Sequence, residues 1–229
     1  MFSEHSYSPI NVTENIGRCN FPYNPVFYCS NDPITALLEV VRNSDFKNKK
    51  YCISSWELVP SKDKIAFQTF LQSEFNQINH FNLLKNSLRE ELKTNFKKIS
   101  EEQLDAFIEI LKYLDNQFLN DNNYSISASL AHQVLYAKHN LRTDILMYPS
   151  IQTKTKGVNM AIHPNFVDNK MKIVRFYIVE LTKYDNDNGK FTIERDKYGY
   201  VDKNVIMWSD AKGERFEKGF AKDFSQYIE

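Results

Sequence analysis

The sequence has 229 residues, 42% of them hydrophobic, which suffices for one large domain or two small ones. Lysine and arginine together number 29, as do aspartate and glutamate, so the formal net charge is +0 and neither nucleic acid nor an anionic membrane is expected to bind through bulk charge. The sequence has three cysteines without C-x-x-C spacing, which argues against a disulfide framework and a zinc site. It shows no secretory signal and no apolar run of membrane length, so no membrane span is expected. Together these features indicate a cytoplasmic protein.

The N-terminal part of the chain predicts a strand followed by a helix. Val26 to Ser30 is a short β-rich run, and turn residues precede it. Asp32 is suited to cap a helix whose first position holds Pro33, where the missing N–H costs nothing. A second strand is predicted from Lys49 to Val59.

Residues 61–119 predict a helical insertion. Three apolar stripes at helical spacing follow one another there, and the third begins behind a capping box that runs from Ser100 to Gln103. The stripes are expected to pack on the sheet and on each other, and the insertion also offers a surface for a partner. The stripe residues are Ile65, Phe67, Phe70, Leu71, Phe75 and Ile78, then Leu83, Leu84, Leu88 and Leu92, and then Leu104, Phe107, Ile108, Leu111, Leu114 and Phe118.

The C-terminal half turns from helix to sheet. A helix is predicted from Ser125 to Lys138, and strands follow at Ile145 to Tyr148, Val158 to Ile162 and Met171 to Leu181. A turn within residues 184–189 makes Lys190 to Arg195 a hairpin partner of the last strand. This order of a strand and helix, then helices, then sheet favours an α+β fold over a doubly wound parallel sheet.

Two short motifs carry side chains suited to chemistry. The first is Gly17-Arg18-Cys19-Asn20, which is followed by Tyr28 near the end of the first strand and by Glu39 in the second turn of the helix. The second is Tyr148-Pro149-Ser150, at the end of a later strand. In order and spacing these residues resemble the RES-domain family, whose members carry G-R-x-N, a strand ending in Tyr, a helix bearing Glu, and Y-P-S. The resemblance runs roughly from Ile16 to Leu181.

The resemblance implies a fold and a departure from it. It implies a single RES-like domain over residues 1–229, with the mixed sheet of an ADP-ribosyltransferase-like fold. It also implies an earlier strand with a further arginine, which we expect to be missing because Arg18 is the first arginine in the sequence. Cys19 stands where the family often has an aromatic residue.

The resemblance further implies a pocket for NAD without a metal. Glu39 and Tyr28 are the candidate catalytic residues, and Arg18, Tyr28 and Ser150 are the candidate NAD-binding residues. A guanidinium matches the oxygens of a pyrophosphate, a tyrosine ring can stack on nicotinamide or ribose, and Glu39 interrupts an apolar helix segment, where a carboxylate needs a partner or a purpose. Asp144 is a further candidate for orienting the same region.

Each of these residues also has an ordinary structural interpretation. An isolated arginine is most often solvated or salt-bridged, and a strand tyrosine is usually half-buried packing. A helix glutamate is often merely exposed, and a loop serine is usually a turn former.

The side chains suit cleavage of the bond between nicotinamide and ribose in NAD. Nicotinamide departs neutral, so one carboxylate that stabilises an oxocarbenium-like transition state can suffice, whereas sugar glycosides need two. RES proteins are known as NAD-degrading toxins that an Xre-type helical antitoxin commonly neutralises, so the resemblance implies hydrolysis or phosphorolysis of NAD and such an antitoxin as partner.

Two other functions stay open at this point. One is a non-catalytic module that binds NAD or a protein partner on a RES scaffold, and the other is transfer of ADP-ribose to a protein. The sequence leaves the acceptor, the antitoxin and the formation of an oligomer undecided.

Overall fold

The structure is a computed structural model that describes residues 6–42, 45–70, 82–96, 98–136, 138, 142–154, 156–185, 190–203 and 205–225. These residues form six α-helices and two four-stranded sheets, so the predicted α+β class is confirmed. The chain divides into two compact units that interleave in sequence. Unit 1 holds residues 1–6, 30–62 and 165–229, and unit 2 holds residues 7–29 and 63–164. Our assignment of residues 1–229 to a single domain stays a prediction.

Unit 1 is built on an antiparallel sheet in the order β2-β6-β7-β8. Its strands are β2 Lys50–Leu58, β6 Met171–Asp185, β7 Lys190–Asp202 and β8 Val205–Asp210, and its helices are α1 Pro33–Val41, α5 Pro164–Lys170 and α6 Glu214–Asp223. The core joins aliphatic residues of α1 to aromatic residues of the sheet and α6, among them Ile34, Leu37, Tyr177, Tyr198 and Phe216. The sequence had indicated β2, β6 and the first part of β7, but not β8, α5 or α6.

The start of α1 follows from local chemistry, as predicted. Asp32 accepts a hydrogen bond of 2.8 Å from the backbone N–H of Thr35 and another from its hydroxyl, and Pro33 occupies the first helical position. The cap satisfies a backbone donor that has no partner inside the helix. The helix then buries Ile34, Leu37, Leu38 and Val41 on one side.

Unit 2 has a mixed sheet in the order β1-β5-β4-β3, with helices from the middle of the chain. Its strands are β1 Phe27–Ser30, β3 Phe67–Thr69, β4 Ile145–Pro149 and β5 Val158–Ile162, and its helices are α2 Asn82–Asn95, α3 Glu101–Asn120 and α4 Ser125–Leu135. Strand β4 runs parallel to β3 and antiparallel to β5. The core includes Phe70, Phe118, Leu135, Leu146 and Tyr148.

Among the described residues of the predicted helical insertion, α2 and α3 are helical and Phe67–Thr69 are not. The helices α2 and α3 confirm the helical prediction for the second and third segments, and Ser100 and Gln103 form the predicted capping box. On α3, Leu104 and Phe118 are buried as expected, whereas Phe107 is exposed. The prediction of a helix from Ile65 was wrong for Phe67–Thr69, which form β3 and pair with Ile145–Met147. Apolar residues at positions 65, 67 and 70 fit a short strand as well as a helix, and pairing with a distant strand decides between them. The rest of that stripe, at residues 71–78, lies outside the described residues.

Candidate functional site

The Gly17–Asn20 motif folds into a tight turn in unit 2. The backbone N–H of Gly17 donates to the carbonyl of Asn20 over 3.0 Å, and the Asn20 N–H donates back to the Gly17 carbonyl over 3.3 Å. A Cβ added at Gly17 would lie 2.4 Å from Oδ1 of Asn20 and 3.1 Å from the hydroxyl of Tyr28. Glycine is therefore required because the Asn20 side chain and Tyr28 occupy that space.

Tyr28 is tied to this turn through its hydroxyl group. That group accepts a hydrogen bond of 2.8 Å from the backbone N–H of Cys19 and donates one of 2.9 Å to Oδ1 of Asn20. Asn20 uses its Nδ2 group on the carbonyls of Asn15 and Phe21, which orients its amide oxygen toward Tyr28. Burial raises the pKa of Tyr28, so the phenol stays neutral at physiological pH. The residue is nevertheless 43% exposed, so part of the ring stays open for stacking.

Arg18 extends from the same turn to the C-terminal end of α3. Its Nη1 group donates to the carbonyl of Phe118 over 2.5 Å and to that of Leu119 over 2.9 Å. The guanidinium also lies 5.9 Å from the Phe118 ring centroid and 5.3 Å from that of Tyr124. A helix C-terminus carries partial negative charge and unpaired carbonyls, so this contact stabilises α3. Within the described chain no group accepts a hydrogen bond from Nε or Nη2 of Arg18, which leaves these donors for a ligand.

Cys19 connects the turn to β4. Its side chain is buried and lies within hydrogen-bonding reach of Tyr148, and burial raises the pKa of the thiol to about 12. Such a thiol stays protonated and is a packing group, not a nucleophile.

Ser150 follows β4 and closes the loop that leads to β5. It is fully buried; its Oγ accepts a hydrogen bond of 3.3 Å from the Thr153 N–H, and its own N–H donates to the Gly157 carbonyl over 2.9 Å. These bonds are those of a serine turn. Asp144 lies at the other end of β4, where its backbone N–H donates to Ala66 and its carbonyl accepts from His163.

Glu39 lies on α1 in unit 1. Its side chain is 22% exposed, and one carboxylate oxygen is 3.9 Å from Nη2 of Arg42. Arg42 also donates to the Glu39 carbonyl over 2.8 Å. The carboxylate is thus half-buried beside one cation, on a helix whose other face is apolar.

The structure brings three of the four predicted residues into unit 2. Tyr28 is hydrogen-bonded to the turn that carries Arg18, and the contact between Cys19 and Tyr148 joins that turn to β4, which Ser150 follows. Glu39 belongs to unit 1, so the convergence of all four residues on one cleft stays a prediction.

Two comparisons find no relative, and one identifies the family. The model of the RES domain matches residues 3–178, which contain Arg18, Tyr28, Glu39 and Ser150. The chain belongs to the RES-domain family. Neither curated proteins nor solved structures give a match. RES membership supports an NAD-related, toxin-type function at the level of the family.

Two further properties of this RES protein concern membranes and metals. Across the described residues, no helix has the length and apolar character needed to cross a bilayer. The same residues hold no cluster of three or more His, Cys, Asp or Glu side chains placed to bind a metal ion.

Sequence reasoning missed three residues that shape the RES motif. Asn20 was noted only as a motif letter, yet its amide orients the Tyr28 hydroxyl. Tyr124 contacts Arg18 from the residue before α4, and Tyr148 contacts Cys19 from β4. The G-R-x-N pattern itself could have indicated Asn20, whereas nothing local in the sequence marks Tyr124, which lies more than a hundred residues from Arg18.

Proposed function

We propose that this RES-domain protein cleaves the bond between nicotinamide and ribose in NAD. The observation that carries the proposal is the family match over residues 3–178, which includes every residue of both motifs. The interlocked arrangement of Gly17, Asn20 and Tyr28 supports it, because a turn built this closely holds Arg18 and the Tyr28 ring in fixed directions.

The reaction requires one bond to break and one to form. The electron pair of the glycosidic C–N bond passes to the pyridinium nitrogen, so nicotinamide leaves as a neutral molecule and the ribose carbon becomes an oxocarbenium-like cation. Water attacks that carbon and releases a proton to give ADP-ribose, or phosphate attacks it instead. A carboxylate stabilises the developing positive charge, and this is the role that we assign to Glu39.

The remaining residues bind and orient the substrate in this proposal. The Nε and Nη2 donors of Arg18 bind the pyrophosphate, for which a guanidinium is well matched. The exposed part of the Tyr28 ring stacks on nicotinamide or ribose and so holds the reacting carbon in place. Ser150 shapes the end of β4 beneath the pocket through its turn.

The test measures, by chromatography, the release of nicotinamide from NAD by the purified protein. The reaction is run with and without phosphate, because hydrolysis yields ADP-ribose whereas phosphorolysis needs phosphate. Nicotinamide release by the wild type at a higher rate than by a Glu39→Gln variant supports the proposal. Retention of intact NAD under both conditions contradicts it.

A specific observation favours a second function, a non-catalytic module that binds NAD or a protein. The Nη1 group of Arg18 is already bonded to the end of α3, and the hydroxyl of Tyr28 is used as both donor and acceptor inside the turn. Both residues thus have structural roles that do not depend on catalysis. Calorimetric binding of NAD without nicotinamide release is the result that this alternative expects.

The acceptor of ADP-ribose and the partner protein are further parts of the proposal. Transfer of ADP-ribose to a protein is the remaining alternative, and it is detected as incorporation of label from NAD into protein. We propose an Xre-type antitoxin as the partner, with a cytoplasmic site of action. Co-expression with such an antitoxin is then expected to relieve any growth defect that the protein causes.

A further inference from the structure

A pocket of about 580 Å³ lies in unit 1 between α6 and the sheet. One carboxylate, that of Glu214 on α6, lines the pocket. The other polar lining residues are Arg175 on β6, Tyr198 and Tyr200 on β7, and Arg215, Lys218 and Lys222 on α6. The family match ends at residue 178, so five of these six residues lie beyond it. The volume falls in the range of small-molecule sites, roughly 300–1,000 Å³.

The pocket depends on the close approach of α6 to the sheet. A Cβ added at Gly219 would lie 3.0 Å from Cδ of Arg175 and 3.2 Å from the hydroxyls of both Tyr177 and Tyr198. The absence of a side chain at Gly219 therefore lets two tyrosine hydroxyls and an arginine face the helix side by side. One of them, Tyr177, donates its hydroxyl to Asp223 over 2.9 Å.

Tyr198 differs from Tyr177 because its hydroxyl has no protein partner. The residue is only 3% exposed and lines the pocket, and no described group forms a hydrogen bond with its hydroxyl. Its ring packs against Tyr177 and Tyr200. The ring is thus held by packing while the hydroxyl opens on the pocket, where it is available to donate a hydrogen bond to a molecule bound there.

The cations around the pocket are unequally neutralised. Lys218 pairs with Glu214 and Lys222 with Glu57, each over 2.7 Å, and Arg175 pairs with Asp223 over 2.8 Å. Arg215 has no carboxylate partner anywhere in the described ranges, and its guanidinium lies 4.0 Å from the centre of the Tyr200 ring. Stacking uses only the face of the guanidinium, so its N–H groups remain available for an anion.

We propose that this pocket binds the phosphate group of a small molecule. Arg215 supplies the unneutralised charge, and Tyr198 supplies a hydroxyl donor at the wall of the pocket. Lys218 and Lys222 line the same side. A terminal phosphate has three oxygens and can accept from Arg215, Tyr198 and a lysine at the same time, whereas a carboxylate has only two. The site is independent of the proposed NAD chemistry.

The test is calorimetric titration with AMP and with inorganic phosphate at constant ionic strength. We expect Arg215→Ala to weaken AMP binding by about tenfold to a hundredfold, and Tyr198→Phe by about threefold to tenfold. Arg215 is exposed on α6, so its replacement leaves the fold intact. Lys212→Ala is the control, because this lysine is close in sequence and lies outside the pocket lining.

The outcomes separate this inference from the proposed function. Binding of both probes indicates a phosphate site, and binding of AMP alone indicates a phosphoester site. Either result supports the proposal if Arg215→Ala weakens that binding. Failure of the wild type to bind either probe overturns it, as does equal affinity in the wild type and Arg215→Ala. We expect Arg18→Ala to keep full AMP affinity even if it no longer cleaves NAD. The two proposals can therefore fail independently of each other.

Discussion

The hydroxyl of Tyr28 donates a hydrogen bond of 2.9 Å to the amide oxygen of Asn20, eight residues earlier in the chain. The same hydroxyl accepts from the backbone N–H of Cys19. One tyrosine thus joins β1 to two consecutive residues of the G-R-x-N turn. The same turn places Arg18 against α3, so the first motif of the family is a single hydrogen-bonded unit.

We expect Tyr28 and Asn20 to be energetically coupled. Tyr28→Phe is expected to lower the free energy of unfolding by about 1–2 kcal/mol, because Cys19 and Asn20 lose their partner. Asn20→Ala is expected to cost a similar amount, and the double variant less than the sum, because both changes remove the same bond. Urea denaturation followed by circular dichroism measures all three variants. Strict additivity would show that the bond contributes nothing.

Arg18→Ala is expected to lower the free energy of unfolding by about 1–3 kcal/mol, because the carbonyls of Phe118 and Leu119 lose their donor at the end of α3. Arg42→Ala is the matched control, since Arg42 is exposed at the end of α1 and its loss is expected to cost less than about 0.5 kcal/mol. If Arg18 also binds pyrophosphate, NAD affinity falls by about 1.5–3 kcal/mol in addition, which calorimetry at a temperature where the variant is folded can measure. Unchanged stability would remove the helix-capping role.

Glu39→Gln keeps the size and hydrogen-bonding capacity of the side chain but deletes its charge. If Glu39 stabilises a developing cation, turnover of NAD is expected to fall roughly 10²–10³-fold with much less change in NAD affinity. Glu102→Gln, on the exposed first turn of α3, is the control and is expected to leave turnover unchanged. Equal turnover by Glu39→Gln and the wild type would exclude Glu39 as the catalytic carboxylate.

His163 makes the stability of the protein depend on pH. Burial lowers the pKa of His163, the nearby Arg142 lowers it further, and Asp144 opposes both effects. Because the folded protein binds this proton more weakly, the unfolded chain takes it up first as the pH falls below the ordinary value near 6.5. The midpoint of thermal unfolding is therefore expected to drop as the pH decreases from about 7.5 to about 5.5, and less steeply in His163→Gln. Parallel curves for the two proteins would contradict this.

Asp223 holds α6 against the sheet of unit 1. It accepts hydrogen bonds of 2.8 and 2.9 Å from Arg175 and one of 2.9 Å from Tyr177, and the side chains of the ion pair are only 16% and 14% exposed. Asp223→Ala is expected to cost about 2 kcal/mol or more, because it leaves a largely buried arginine without its main partner. Asp210→Ala removes an exposed aspartate with two lysine partners and is expected to have almost no effect. Chemical denaturation measures the free energy of unfolding of both variants. Similar losses would show that burial of the ion pair does not increase its contribution to stability.

Local sequence alone determined the elements whose causes lie within a few residues. Asp32 caps α1 through Thr35, and Ser100 and Gln103 cap α3 through each other, so these helix starts could be predicted without knowledge of the fold. Strands β4 to β7 were predicted for a similar reason, because β-rich runs and the turns between them are visible in the sequence. The two family motifs, and the identity of the family with them, were also recognisable at this level.

Tertiary structure decided the features whose partners are remote in sequence. The residues of β3 form a strand because β4, more than 70 positions later, provides its hydrogen-bonding partner. Arg18 caps a helix that ends 100 residues further along the chain, and no local pattern could reveal that carbonyl. The α6 pocket likewise requires Tyr198 and Arg215 to come from two different elements. Spacing along a chain reports which neighbours a residue has in its own element, whereas contacts between elements depend on how the whole chain packs.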